Sequence, residues 1–130
     1  MFDRWLQGEK QRSRPAFGIH VRVGTEMLLL EGNEPKSGRP ETIDLPAVLL
    51  PDGSARHLDA DMVDHQVGII SSYWANAAVV GVREGREVPQ RMLKEAVKYG
   101  VSLIVEAPEL AIRIYNDIAA SGRKVGLVIL

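Results

Sequence analysis

The sequence predicts an α/β protein built on a mixed sheet, with an N-terminal helix and an antiparallel strand meander followed by α-β-α-β-α-β with parallel strands. Three observations carry this reading. Between Asn76 and Leu130, the apolar runs AAVVGV, VSLIVE and KVGLVIL alternate with two helical patterns. Each run is rich in Val and Ile without a polar alternation, as a strand covered on both faces by helices requires, and such strands are usually parallel. Upstream, FGIHVRV does alternate, with Phe17, Ile19, Val21 and Val23 on one face and Gly18, His20 and Arg22 on the other. That is the pattern of a half-exposed antiparallel strand.

In chain order, Phe2 to Arg14 can form a short helix with Phe2, Trp5 and Leu6 on one face, followed by a basic run of Lys10, Arg12 and Arg14. The run is either a solvated tail or an arm that touches phosphate. After FGIHVRV, Gly24 allows a turn into a partner strand, EMLLLEG. The segment GNEPKSGRPE is then a loop by its Gly, Pro, Asn and Ser content. TIDLPAVLL reads as one further strand, in which Pro46 argues for an edge position or a bulge because proline has no N–H for a ladder. PDGS is a turn signal leading to a short ARHL strand.

Asp59 or Asp61 is the expected N-cap of a helix reaching about Ala75, with Met62, Val63, Gln66, Val67, Ile70, Tyr73 and Trp74 at helical spacings. A second helix opens at Pro89 and stops at Gly100, and a third opens at Pro108 and ends before Gly122. The predicted core contains Val79, Val80, Met92, Leu93, Leu103, Ile104, Leu110 and Ile114. Right-handed crossovers place the loops after Val82 and Val105 on one edge of the sheet, where open α/β sheets usually bind ligands. KVGLVIL is expected to be an ordered strand, since an exposed apolar tail would aggregate; it pairs within the sheet or, through Val125 to Leu130, with a partner or a second copy.

With 130 residues the chain fits a single domain spanning 1–130. Its formal charge of -1 supplies no bulk attraction to nucleic acid or to an anionic membrane, so any such binding must come from a local patch. Without cysteine there is no disulfide, thiolate nucleophile or cysteine-based metal site. The apolar runs fall far short of membrane-spanning length and the N-terminal residues lack a signal-peptide pattern, so the expected location is cytoplasmic with no membrane partner.

Signals of chemistry are sparse. His20, His57 and His65 lack zinc-site spacing, and Ser71 and Ser72 lie in a predicted helix without a nucleophile elbow. In GVREGREVP, Arg83 and Arg86 lie before a helix N-terminus, where free N–H groups and the helix dipole favour an anion; the plainer reading is a solvated loop. Glu31, Glu41, Asp44, Asp52, Asp59 and Asp61 collect around the meander, as Mg²⁺ ligands would, and also as turn and cap residues do.

From Asp59 to Ile118 the order of patterns resembles the restriction-endonuclease-like fold, most closely its Mrr-like branch: a helix, a strand with a small-residue turn, a helix ending at Gly100-Val101, a short apolar strand and a final Leu-containing helix. The upstream ETIDL is similar to that family's Gly-Ile-Asp segment. The resemblance would make Asp44 the metal-binding aspartate, a candidate for both the catalytic and the Mg²⁺ site. The family's acidic-x-Lys is absent from the next strand, where SARHLDADM carries Arg56, His57 and Asp59. A lysine there positions water and stabilises transition-state charge, so the resemblance implies a degenerate domain without turnover. Separately, IVEAPELAIRIY is similar to a Pro-x-Leu-Ala segment of the export-gate switch proteins of secretion systems, whose self-cleaving Asn-Pro-Thr-His site is absent.

Two function classes follow. One is a non-catalytic nuclease-like domain that binds nucleic acid weakly through Arg83, Arg86, Arg91, Arg12 and Arg14. The other is a protein-interaction module. No cofactor is expected, and Mg²⁺ enters only with nuclease chemistry.

Overall fold

The structure, a computed structural model, describes residues 19–24, 27–32 and 41–130. The expected N-terminal helix with Arg12 and Arg14, and most of the GNEPKSGRPE loop, lie outside the described residues. The class is mixed α/β, as the apolar runs require. Strands β1 (Ile19–Val23), β2 (Met27–Gly32) and β3 (Glu41–Asp44) form an antiparallel three-stranded sheet in sequential order. Strands β4 (Ala47–Leu49), β5 (Ala55–His57), β6 (Ala77–Gly81), β7 (Ser102–Glu106) and β8 (Gly126–Ile129) form a second, five-stranded sheet in the order β5-β4-β8-β6-β7.

The expected parallel pairing of AAVVGV with VSLIVE is present, Ala78 opposite Leu103 and Val80 opposite Val105. The final strand β8 pairs within the sheet. It runs parallel to β6 on one side and antiparallel to β4 on the other, and every residue from Val125 to Leu130 is buried. It therefore offers no edge to a partner.

Strand pleating divides β8 between two cores. Leu127 and Ile129 face Val79, the helix α3 (Pro108–Ala120) with Ala111 and Tyr115, and Leu28 and Leu30 of β2. Val128 and Leu130 face Val80, the short helix α1 (Gln66–Ser71) with Val67 and Ile70, and the helix α2 (Gln90–Tyr99) with Met92 and Ala96. One face of the large sheet thus carries α3 and the small sheet, and the other carries α1 and α2. No helix among the described residues is long and apolar enough to cross a membrane.

Four expectations need correction. TIDLPAVLL is two strands in two sheets. Residues 41–44 have one face outward, residues 47–50 are covered on both faces, and the change falls at Leu45-Pro46, joined by a cis peptide. Pro46 has no N–H to keep a ladder going, and its carbonyl accepts from Leu58 N–H at 2.8 Å. The strand that follows is interior, not an edge.

The helix expected from Asp59 to Ala75 is much shorter, a 3-10 turn at Val63–His65 continuing into α1, with no side-chain N-cap bond. Its end tightens into three-residue bonds, Tyr73 N–H to Ile70 O at 3.1 Å and Trp74 N–H to Ser71 O at 2.9 Å. Trp74 then takes φ 68° and stands 87% exposed, outside the core it was expected to join.

Helix α2 begins one residue later than expected, with Pro89 as its extended N-cap, and stops at left-handed Gly100. It buries Met92 and Ala96 while Leu93 is 41% exposed. Leu110, expected in the core, is also exposed, at 39%, and Leu103, Ile104 and Ile114 are half-buried. The reason is positional. These five residues lie on or beside β7, which is the border strand of the sheet and has no further strand or helix beyond it among the described residues.

Close packing at β8 makes a test of this architecture. A Cβ on Gly126 would lie 2.5 Å from Ile70 Cδ1 and 2.6 Å from its Cγ1, so α1 rests directly on the strand backbone. Gly126→Ala is expected to lose about 1–3 kcal/mol in chemical denaturation. Combined with Ile70→Ala it should cost clearly less than the sum of the two single changes, and strict additivity would show the two are not in contact.

Tyr115 gives a second test. Its side chain is fully buried, burial raises its phenol pKa, and its hydroxyl has no hydrogen-bond partner among the described residues. Tyr115→Phe removes an unpaired polar atom without changing shape. The expected result is unchanged or higher stability, by up to about 1 kcal/mol; a loss larger than that would reveal a bonded hydroxyl.

Candidate functional site

The parallel strands β6, β7 and β8 give the sheet two chemically different ends. At the carboxyl end, the loops after β6 and β7 do meet on one edge, as the crossover rule required. They border an open cleft of about 570 Å³ lined by Arg83, Glu84, Arg86, Pro108 and Glu109 together with the end of β1 at Val23 and Gly24. Arg83 is partly committed to the fold. Its Nε donates to Leu130 O at 3.0 Å and its backbone N–H donates to the same oxygen at 3.1 Å, while Leu130 N–H donates to Gly81 O at 2.8 Å. The side chain thereby ties the β6 loop to the end of β8.

Arg86 lines the same cleft and Arg91 is exposed on the first turn of α2. Their surroundings are not basic. Glu84, Glu87, Glu106 and Glu109 occupy the same two loops and helix starts, so four glutamates stand among three arginines. A phosphate backbone would meet a near-neutral, slightly acidic rim there.

The acidic meander does not converge. Asp44 ends β3, exposed, and its backbone carbonyl faces His57 Nδ1 at 3.0 Å, a contact that joins the two sheets. Asp59 lies 3.8 Å from the other nitrogen of that ring. Asp52 is at the opposite end of β4, where its carboxylate accepts from Ser54 Oγ at 2.6 Å and Ser54 N–H at 2.9 Å. Among the described residues, no three His, Cys, Asp or Glu side chains are grouped as a metal ion would need.

The amino end of the parallel strands is different, and sequence reasoning passed over it. Three connections lead into the strands there: residues 72–76 before β6, 98–101 (the end of α2 and its stop) before β7, and 121–124 before β8. Together they hold Tyr73, Trp74, Lys98, Tyr99, Arg123 and Lys124 and no acidic residue. Trp74, Asn76, Arg123 and Lys124 line a second cleft of about 260 Å³ over Ala77 and Ile118. Lys98 Nζ sits 5.2 Å from the Tyr99 ring centroid, within cation–π range. Nothing in the periodicity marked this group, because Trp74 falls at a core position of the helical pattern and leaves it only through a left-handed backbone step.

No protein-family model and no curated protein matches this chain.

Asp52 illustrates a carboxylate retained for local structure. Its pKa is held below the ordinary aspartate value, first by the Ser54 hydroxyl and next by the Ser54 N–H, against a smaller opposing effect of burial. A carboxyl depressed on folding stabilises the native state above its unfolded pKa, and that contribution is lost as pH falls through the lower folded value. Ser54→Ala is expected to lower the denaturation midpoint at pH 7. The gap from the parent protein should narrow as the pH drops below about 4, and a gap independent of pH would show that the hydroxyl acts through something other than the Asp52 charge.

Proposed function

We propose that this chain is a non-catalytic assembly domain whose working surface is the open edge of β7, and that the edge takes a second copy of the same chain. The observation that carries the reading is the state of that strand. Ser102 N–H donates to Asn76 O and Val82 N–H donates to Glu106 O, both at 2.9 Å, so the even-numbered residues 102 to 106 turn their backbone groups toward β6. In a parallel ladder the intervening Leu103 and Val105 then direct N–H and C=O outward, and among the described residues no strand meets them. Such an edge is a template for strand addition.

The opposite edge is blunted. Strand β5 has three residues, exposes Arg56 and His57, and lies against β3. Strand β7 has neither lysine nor proline, and it is flanked by exposed Leu93 and Val97 on α2, exposed Leu110 on α3, and its own Val105 at 43% exposure. Exposed apolar groups concentrated on one border of a fold mark a partner surface.

A second copy fits this border because it is complementary to itself under a two-fold axis at Ile104. Leu103 of each copy would exchange bonds with Val105 of the other, and Ser102 would stand opposite Glu106, with no like charges facing. On one side of the sheet Leu93 meets Val97. On the other, the flank of α3 that carries Leu110 and Ile114 also carries Arg113 and Asp117, which an antiparallel helix pair brings together with opposite charge. The nuclease-like resemblance and a nucleic-acid role for Arg83, Arg86 and Arg91 find less support, given the glutamates around those arginines and, among the described residues, no group of three His, Cys, Asp or Glu side chains placed to hold a metal ion.

Sedimentation equilibrium tests the proposal. The expected result is a reversible dimer that Val105→Lys weakens by at least about tenfold, since the ammonium would be desolvated against the apolar Leu103 of the other copy. A parent protein that is monomeric at every concentration reached, or a dimer indifferent to Val105→Lys, would overturn it.

A further inference from the structure

We infer that the amino end of the parallel strands is a binding site for single-stranded nucleic acid, with Trp74 stacking on a base and Arg123 and Lys124 taking the neighbouring phosphates. This inference does not rest on the assembly role of β7, which lies along a different border, and it moves nucleic-acid recognition to the end of the sheet opposite Arg83 and Arg86.

Two costs are concentrated at Trp74. A non-glycine residue at φ 68° is strained, and glycine would occupy the position without penalty. The indole is 87% exposed, so the largest apolar side chain of the set contributes little to the core that would justify its placement. Backbone strain that presents an aromatic ring to solvent is the kind retained for a ligand.

The surroundings specify the ligand. The ring borders a cleft with Asn76, Arg123 and Lys124, the two cations are exposed, and the three connections at this end hold no carboxylate. Of the acidic groups nearby, Asp52 in the neighbouring β4–β5 turn accepts from Ser54 Oγ and N–H through its Oδ1, and Asp117 is exposed on the last turn of α3. A flat π surface beside two cations suits a base followed by phosphates. The base must be unpaired, because an indole cannot stack on a base inside a duplex, and the contact is tolerant of sequence because every base has a π face. The overall charge of -1 is no obstacle, since the attraction is local to this end.

The test uses the full chain carrying Trp5→Phe, so that Trp74 is the one remaining tryptophan. A twelve-nucleotide oligothymidylate is titrated at low salt while indole emission and fluorescence anisotropy of the labelled strand are followed. The expected result is quenching of Trp74 with saturable binding, and a preference for the single strand over the same length of duplex. Trp74→Gly, on the chain with or without Trp5→Phe, should weaken binding about tenfold or more by anisotropy while the melting temperature holds or rises. The double change Arg123→Ala with Lys124→Ala should flatten the dependence of log K on log salt by about 1.4, the value for two phosphate contacts on a single strand. Affinity unchanged in Trp74→Gly, equal affinity for duplex, or no binding of the oligonucleotide would each overturn the inference. Quenching by an acidic peptide of the same charge, with none by the oligonucleotide, would assign the site to a protein ligand instead. A Trp74→Gly protein that melts lower would show that the residue is held for stability.

Discussion

The arrangement depends on β8 lying in the middle of the large sheet. It joins the antiparallel part of the sheet to the parallel part, pairing with β4 on one side and β6 on the other. Its alternate side chains fill two separate cores, so neither α3 with the small sheet nor α1 with α2 has a complete surface to pack on until β8 is inserted. Gly126 shows how closely this fit is drawn, since the absence of a side chain there lets Ile70 of α1 rest on the strand. The bond from Arg83 Nε to Leu130 O then holds the far end of β8 against the loop that follows β6.

Placing β8 there decides which strand is left uncovered. The chain passes from β6 to β7 through α2 and returns through α3 to the other side of β6, and right-handed crossovers put those two helices on opposite faces. Strand β7 is thus pushed to the border. Its outer residues carry the same apolar character as those of β6 and β8 but have no second neighbouring strand among the described residues, which is why Val105 is 43% exposed while Val80 and Val128 are fully buried.

Much of this was legible in the residues and some was not. The Val- and Ile-rich runs, Gly100 and Pro108 located the parallel strands and the limits of two helices, because those signals act over a few neighbouring residues. The order of strands is a property of the whole chain. AAVVGV, VSLIVE and KVGLVIL read alike, so nothing local told that the second would be an edge and the third a centre. For the same reason Leu93 passed as a core residue: helical periodicity places it on the inward half of α2, but whether that flank is covered depends on what lies beyond β7. The break at Leu45-Pro46 was hidden inside one continuous apolar stretch, where proline signalled an irregularity without saying that the chain would change sheets.

Trp74 was missed for a different reason, and it bears on how the two ends of the sheet divide their work. A three- and four-residue spacing assigned it to the buried face of a helix, yet the helix tightens over Ser71 to Tyr73 and the next residue turns left-handed, reversing the direction of its side chain. The same turn delivers the chain into β6, so the exposed indole and the start of the parallel sheet are products of one backbone step. At the other end of β6, the arginines are interleaved with glutamates and one of them is tied to β8. Charge and aromatic surface are therefore separated along the strands, with balanced charges where the strands finish and uncompensated cations beside an indole where they begin. A ligand that needs a flat apolar contact next to a cation therefore finds it at the amino end among the described residues.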